Sequence, residues 1–223
     1  MIIAIPDFHI SMELKEDRLN SIIVENEMAM TDIITRLQKG INGESVSVGL
    51  YEEDKEVSLS KTARLIIDPF GVDLNDRQAQ KALYKELIVA ANDDPAAKGA
   101  LNQAGVEYID RLLVHISDPN VIFSIEPDME GFFKYYNVAF SDNYDDLGKR
   151  LTEYVRILSI YCRVELFIFV NLKSFLSPDE IESFREMVSY YKAICLIIEP
   201  RERIEKTAEN TIIIDNDLCL IRR

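Results

Sequence analysis

The chain has little of what most catalytic centres are built from. Its 223 residues include two histidines and three cysteines. His9 and His115 stand in no recognisable nucleophile or metal motif. His9, between Phe8 and Ile10, reads as an edge-strand or turn residue. His115, between Val114 and Ile116 near a helix end, reads as partly buried or in contact with a helix C-terminus. Cys162, Cys195 and Cys219 lie among apolar residues without CxxC spacing, so small buried hydrophobes are expected rather than zinc ligands or disulfide partners. No stretch reaches the roughly 18 consecutive apolar residues that span a bilayer. The opening Met1-Ile2-Ile3-Ala4-Ile5-Pro6 also lacks the basic start of a signal peptide. A cytoplasmic protein with no membrane partner is expected. Internal repeats and low-complexity linkers are missing too.

What is present suits a globular protein. With 48% hydrophobic and 29% charged residues, the chain can bury a core as one large or two small domains. Lys and Arg number 25 against 39 Asp and Glu, a formal net charge of -14. Such a surface repels phosphate at long range, which argues against a generic nucleic-acid coat. DNA binding would require the cations to gather on one surface or line a hole, with the carboxylates kept outside.

Strand-like and helix-like segments alternate, which favours a mixed α/β fold. Ser21-Ile22-Ile23-Val24 reads as a short buried strand. Met30, Ile33, Ile34 and Leu37 then follow at helical spacing up to Gly40, a C-terminal helix signal. Val46 to Leu50 and Leu65 to Asp68 read as two further strands. From Asn75 the period becomes helical, with Ala79, Leu83 and Leu87 on one face. Asp93-Asp94-Pro95 breaks that helix and caps a second one, reaching about Ile116, whose stripe is Leu101, Ile109, Leu112 and Ile116. A third helix, from about Asn143 to Arg163, carries Leu147, Leu151, Tyr154 and Leu158 at the same period. These three helices could form an antiparallel extension away from the sheet.

The last third reads most clearly. Leu166 to Val170 is an unbroken apolar run, as expected of a parallel strand covered on both faces. Ser177-Pro178-Asp179-Glu180 supplies an N-cap, a proline at the first helical position and a Glu able to complete a capping box. Ala193 to Ile198 returns as a second buried strand, completing a βαβ unit.

The order "ELFIFVN", "FLSPDEIESFREMVSY", "LIIEPRE" and "IIIDNDLCLI" resembles the C-terminal region of the Csn-two family, the small accessory proteins of type II-A CRISPR systems. Upstream, "ARLIIDPFGVDLNDRQAQKALYKEL" is similar to that family's strand, its D-x-x-G-x-D-x-N turn and the helix after it. Here the turn is Asp68, Gly71, Asp73 and Asn75. The likeness covers about residues 60 to 92 and 143 to 221. It implies an α/β fold with a P-loop-like head domain on a mainly parallel sheet, residues 1–75 and 150–223. An α-helical leg, residues 76–149, would be inserted between the two parts. It further implies toroidal homotetramers that hold double-stranded DNA in a central hole, prefer its ends and carry structural calcium. Such proteins have no demonstrated catalytic centre and act beside the integrase pair and the effector nuclease in spacer acquisition.

The residues test parts of this. The segment Ile22 to Leu37 sits where a P-loop would bind phosphate, through the connection Glu25-Asn26-Glu27-Met28-Ala29-Met30-Thr31. It lacks the glycines and the lysine of G-x-x-x-x-G-K-S/T, and its two Glu residues would repel a nucleotide, so none is expected. Asp68, Asp73, Asp215 and Asp217 could serve a metal-dependent nuclease, but turn and capping roles explain each more cheaply. Glu126, Asp128 and Glu130, on a loop bearing Pro127 and Gly131, could converge on calcium, which takes six to eight oxygens in flexible geometry. A solvated acidic loop or a helix N-terminus remains the alternative, and the EF-hand pattern is absent.

For DNA, Arg77, Lys81 and Lys85 recur every four residues along one helical face, roughly opposite Ala79, Leu83 and Leu87. This is a ladder able to follow phosphates without reading bases. By the residues alone a solvated helix face is the simpler reading; the resemblance favours the ladder. Lys149, Arg150, Arg156 and Arg163 form a second, weaker set interrupted by Glu153, and Lys61 and Arg64 flank a strand. No aromatics interleave these cations, so duplex rather than single strands is expected. The expected function is thus non-catalytic, ring-forming, sequence-independent binding of duplex ends in support of spacer acquisition. A degenerate nucleotide-binding enzyme and a protein-interaction scaffold without DNA binding are the alternatives.

Overall fold

A computed structural model describes residues 1–53, 55–118, 120–126, 128–203 and 209–222. The chain opens with a hairpin of β1 (Ile2–Ile5) and β2 (Ile10–Glu13), then β3 (Asn20–Val24) and α1 (Glu27–Ile41). β4 (Gly49–Glu52), β5 (Lys55–Val57), the single turn α2 (Leu59–Thr62) and β6 (Ala63–Ile66) follow. Three helices come next, α3 (Arg77–Asp93), α4 (Pro95–Leu113) and α5 (Met129–Tyr135). The chain closes with α6 (Leu147–Cys162), β7 (Leu166–Val170), α7 (Pro178–Tyr190), β8 (Ile194–Glu199), β9 (Asn210–Ile214) and β10 (Leu220–Arg222).

Contacts divide the chain into two compact units, Met1–Leu74 with Asp142–Arg223, and Asn75–Ser141. The first is a mixed α/β unit whose six-stranded sheet runs β10-β9-β3-β8-β7-β6. β3 pairs in parallel with β8 and β9, and β7 with β6 and β8, while β10 lies antiparallel to β9. β3, β7 and β8 are buried at every residue, as strands covered on both faces must be.

Each face of that sheet has its own cover. On one side Ile22, Val24, Leu196, Ile198, Ile212 and Ile214 share a core with Ile33 and Leu37 of α1 and with Ile3, Ile5, Ile10 and Met12. Those last four belong to a second sheet, antiparallel and four-stranded in the order β2-β1-β4-β5. On the other side lie α6 and α7. Tyr154 meets Phe167 at 6.5 Å and Phe169 meets Phe184 at 5.4 Å, both edge to face. Such pairs add about 0.5–1.5 kcal/mol beyond the area they bury.

α7 starts as its residues dictate. Ser177 Oγ accepts from the Glu180 N–H, and Glu180 Oε2 accepts from the Ser177 N–H at 2.7 Å, a complete capping box. Ser177→Ala is expected to cost about 1 kcal/mol. It should lower the thermal midpoint by roughly 2–4 °C in a far-ultraviolet melt.

Several expectations need correction. The four-stranded antiparallel sheet joins the mainly parallel one, because β1, β2 and β4 bury Ile3, Ile5, Met12 and Leu50 over α1 rather than lying in the parallel sheet. The strand expected over Val46 to Leu50 begins at Gly49, and the one expected to reach Asp68 ends at Ile66. α6 is no part of a three-helix extension, and a boundary at 149/150 would cut through it. Leu151, Tyr154, Val155, Ile157 and Leu158 bury it on the sheet side of the first unit. Cys195 is buried, but Cys162 is only half-buried and Cys219 is exposed.

The second unit holds α3, α4 and α5. Ala79 and Tyr84 are the buried residues of α3, with Tyr84 stacked 6.1 Å from Phe133 of α5. α4 buries no residue, and it stops at Leu113, so Ile116 lies beyond it; Leu101, Leu112 and Ile116 of the expected stripe are exposed. Where the chain enters and leaves this unit, the Asn75 side chain donates to the Phe140 carbonyl at 2.9 Å and accepts from its N–H at 2.8 Å.

Candidate nucleic-acid interface

α3 carries the three cations with the regularity that the sequence expresses. Asp76 caps it, accepting from the N–H groups of Gln78 and Ala79. Ala79 and Tyr84 turn inward, which leaves Arg77, Lys81 and Lys85 exposed. Among the described residues none of the three side chains makes a hydrogen bond or ion pair, so all their donors are available to a ligand. At 1.5 Å rise per residue the three span about 12 Å along the helix axis. Arg77 lies in the first turn, where the helix dipole disfavours a cation by about 0.3–1 kcal/mol. With the N-terminal partial charge it makes this end of α3 attractive to anions.

The other candidates divide. Lys61 and Lys149 are exposed. Arg64 donates to the carbonyls of Ala63 and Ser60 and is half-buried. Arg156 forms a fork with Glu153, at 2.8 and 2.5 Å, and the pair neutralises itself. Arg150 is a clasp. Its guanidinium holds both oxygens of Asp142, at 2.8 and 2.9 Å, and the carbonyls of Phe70 and Val72, at 2.9 and 2.8 Å. It thereby pins the turn after β6 to the start of α6. The structure thus gives Arg150 and Arg156 work inside the protein that a phosphate would have to displace.

The acidic candidates are likewise occupied. Asp128 caps α5, accepting from the Glu130 N–H at 3.0 Å. Its second oxygen lies where a side chain on Gly131 would collide, 2.8 Å from an added Cβ. Glu130 is paired with Lys134 at 2.6 Å, which raises the lysine pKa. Glu126 is exposed on the preceding loop, and Pro127 lies outside the described residues. Among the described residues no three His, Cys, Asp or Glu side chains converge in a way that could hold a metal. In this arrangement the three carboxylates do not fit a calcium cradle. Asp68 and Asp215 serve turns, Asp68 accepting from the Phe70 N–H and Asp215 from those of Asp217 and Cys219. His9 sits in a left-handed turn before β2, and His115 is exposed just past α4.

At the end of β3 the connection to α1 is two residues, Glu25 and Asn26, shorter than the seven-residue loop that the sequence suggests. Asn26 Oδ1 accepts from the N–H groups of Met28 and Ala29. The amides that a phosphate loop would present to a nucleotide are therefore satisfied by the chain itself, and Glu27 adds negative charge at the same turn.

A buried charge escaped the sequence reading. Lys173, 4% exposed, places Nζ 2.7 Å from Glu209, whose other oxygen accepts from Ser21 Oγ, and its backbone N–H donates to Glu199. Burial also pushes the nearby Cys195 thiol far above its ordinary pKa, which leaves it a poor nucleophile. A lysine soon after an apolar strand was the available signal.

The family model for CRISPR-associated protein (Cas_Csn2) matches residues 41–218. The chain belongs to the Csn2 family. Among curated Csn2 proteins, "CRISPR-associated protein Csn2" of Streptococcus agalactiae is 21% identical over 171 residues, 76% of each chain. That of Enterococcus faecalis is 24% identical over 147 residues, 61% of this Csn2-family chain and 63% of the relative. A solved structure, a putative ABC transporter ATP-binding protein from Pyrococcus furiosus, aligns over 91% of this chain and 88% of its own. Its 12% identity and TM-score of 0.39 are too slight a likeness to bear on the fold. No described helix is long and apolar enough to cross a membrane.

Proposed function

We propose that this Csn2-family protein is a non-catalytic, ring-forming binder of double-stranded DNA ends that supports spacer acquisition in type II-A CRISPR immunity. In this reading the mixed α/β unit is a P-loop-like head, and the helical unit is a leg inserted into it. The observation that carries the reading is the row of exposed, unpaired cations Arg77, Lys81 and Lys85 on α3. It sits on a protein whose net charge of -14 would otherwise repel DNA. Three cations on one chain make a weak site, and closed cyclic assembly would gather several such rows around one axis while acidic outer surfaces keep the rings soluble.

The absence of catalysis is supported by the Asn26 cap over the α1 amides, by the two-residue connection before it, and by the burial of Lys173 and Cys195. The integrase pair and effector nuclease are the expected companions of such a protein. A gel-shift comparison of linear and covalently closed circular duplex of the same sequence tests the reading. A shift of the linear form alone is the expected result, since a ring loads from an end. Equal binding of both forms would remove the ring, and failure on both would leave a protein-interaction scaffold.

A further inference from the structure

α6 and α7 lie side by side on one face of the six-stranded sheet, and a groove of about 530 Å³ runs between the N-terminal half of α6 and the length of α7. That size is within the range of sites that hold a ligand or an anchoring side chain. Its apolar lining comes from Tyr144, Phe184, Met187 and Tyr191. Phe184 forms a buried floor, whereas Met187 is 39% exposed, more than core packing would leave it. Ile160, further along α6, and Tyr190, beside Tyr191, are also exposed. Exposed apolar side chains beside a charge-rimmed groove have the composition of an interaction surface.

The rim has one dominant sign. Asp146, Asp179 and Glu180 line it against the single ammonium of Lys149, while Glu153 is offset by Arg156. Asp146 and Glu180 bond to backbone and hydroxyl donors, which are neutral and offset neither carboxylate. Such a rim repels phosphate and carboxylate and attracts cations, and the faces of Tyr144 and Tyr191 offer cation–π contacts to an ammonium or guanidinium. We propose that the α6–α7 groove is a docking site for a cationic amphipathic segment of a protein partner, apolar anchors seated between the helices and Lys or Arg side chains on the rim. The proposal does not rest on the α3 row, which contributes nothing to this groove, and shares only Lys149 with the DNA candidates.

The probe is a fluorescently labelled Leu/Lys amphipathic helical peptide, with its Leu/Glu counterpart as control. Anisotropy is followed at physiological ionic strength, where nonspecific surface attraction is largely screened. Three variants separate the groove from general acidity. Ser183→Trp fills it, Asp179→Lys reverses a rim charge, and Glu56→Lys makes the same charge change on the antiparallel sheet, far in the sequence from both helices. The wild type should bind the Lys peptide and not the Glu peptide. Ser183→Trp and Asp179→Lys should each weaken binding about tenfold, and Glu56→Lys less than about twofold.

Equal weakening by Asp179→Lys and Glu56→Lys would reduce the effect to overall charge and overturn the proposal. So would undiminished binding by Ser183→Trp. If sedimentation instead showed self-association lost in Ser183→Trp, the occupant would be a second copy of this chain, which also overturns it. Asp179→Lys, at an exposed first-turn position, keeps the test open should Ser183→Trp fold poorly. Duplex binding measured on the same variants should be weakened in none of them, the two charge reversals raising it only modestly, so failure here and failure of the DNA reading are distinguishable.

Discussion

Replacing Arg150 with Met is expected to destabilise the α/β unit by about 2 kcal/mol and to leave the salt dependence of duplex binding unchanged. The aliphatic stem survives in this variant, so the loss isolates the guanidinium. Its removal takes the donor from the part-buried Val72 carbonyl, hands the exposed Phe70 carbonyl to water and leaves Asp142 without its cation. The side chain is 24% exposed and Asp142 33%, so the pair is partly screened, and most of the cost comes from the Val72 carbonyl. A thermal midpoint lower by roughly 4–8 °C follows for a protein of this size. Acid should erase part of the difference. Arg150 holds the Asp142 carboxyl below its ordinary pKa, chiefly through the hydrogen bonds between them. A depressed carboxylate contributes stability above its unfolded pKa and loses it as pH falls through the folded one. The wild-type and Arg150→Met curves should therefore draw closer below the usual carboxylate range without meeting, because the carbonyl share does not titrate. A normal midpoint combined with a shallower salt slope for duplex binding would return Arg150 to the DNA surface and remove its role as a clasp.

Arg150 also marks the limit of what the sequence reveals. The βαβ unit of β7, α7 and β8 is legible because its signals are local: a fully apolar strand, a four-residue capping box and a second apolar run. The antiparallel sheet is not, since β1, β2 and β4 have four residues each, too few for alternation to stand out from chance. Periodicity finds α6, yet an apolar stripe says only that a face is covered, never by what. The sheet covers it, with α7 alongside.

The candidate site divides along the same line. The α3 ladder follows from the helical period. The Glu153–Arg156 and Glu130–Lys134 pairs were available as three- and four-residue spacings of opposite charge. The partners of Arg150 include two backbone carbonyls, which carry no sequence signal at all. Lys173 shows the same limit from the other side. It meets Glu209 across 36 residues, a pairing only the strand order can create.

The Arg77, Lys81 and Lys85 triple alanine variant is the sharper test of function, because fold and binding should separate in it. All three side chains are exposed and unpaired among the described residues, and alanine favours helix, so α3 should form as well as before. Moving a cation out of the first turn removes an unfavourable dipole contact, so stability should hold or rise slightly. Duplex binding should collapse. Each phosphate contact contributes about 0.9 to the slope of log affinity against log salt, so losing three flattens the slope by roughly 2.7 for each subunit that touches DNA. At physiological salt that amounts to a loss on the order of 100-fold. A charge-reversal control at Glu107, on α4, should raise affinity only modestly through the general field. The slope decides between mechanisms where the affinity alone does not. A weakened variant with an unchanged slope would mean that the three residues hold the protein's architecture and that the phosphates are met elsewhere. A flattened slope with the wild-type melting curve would assign the duplex to this face of α3.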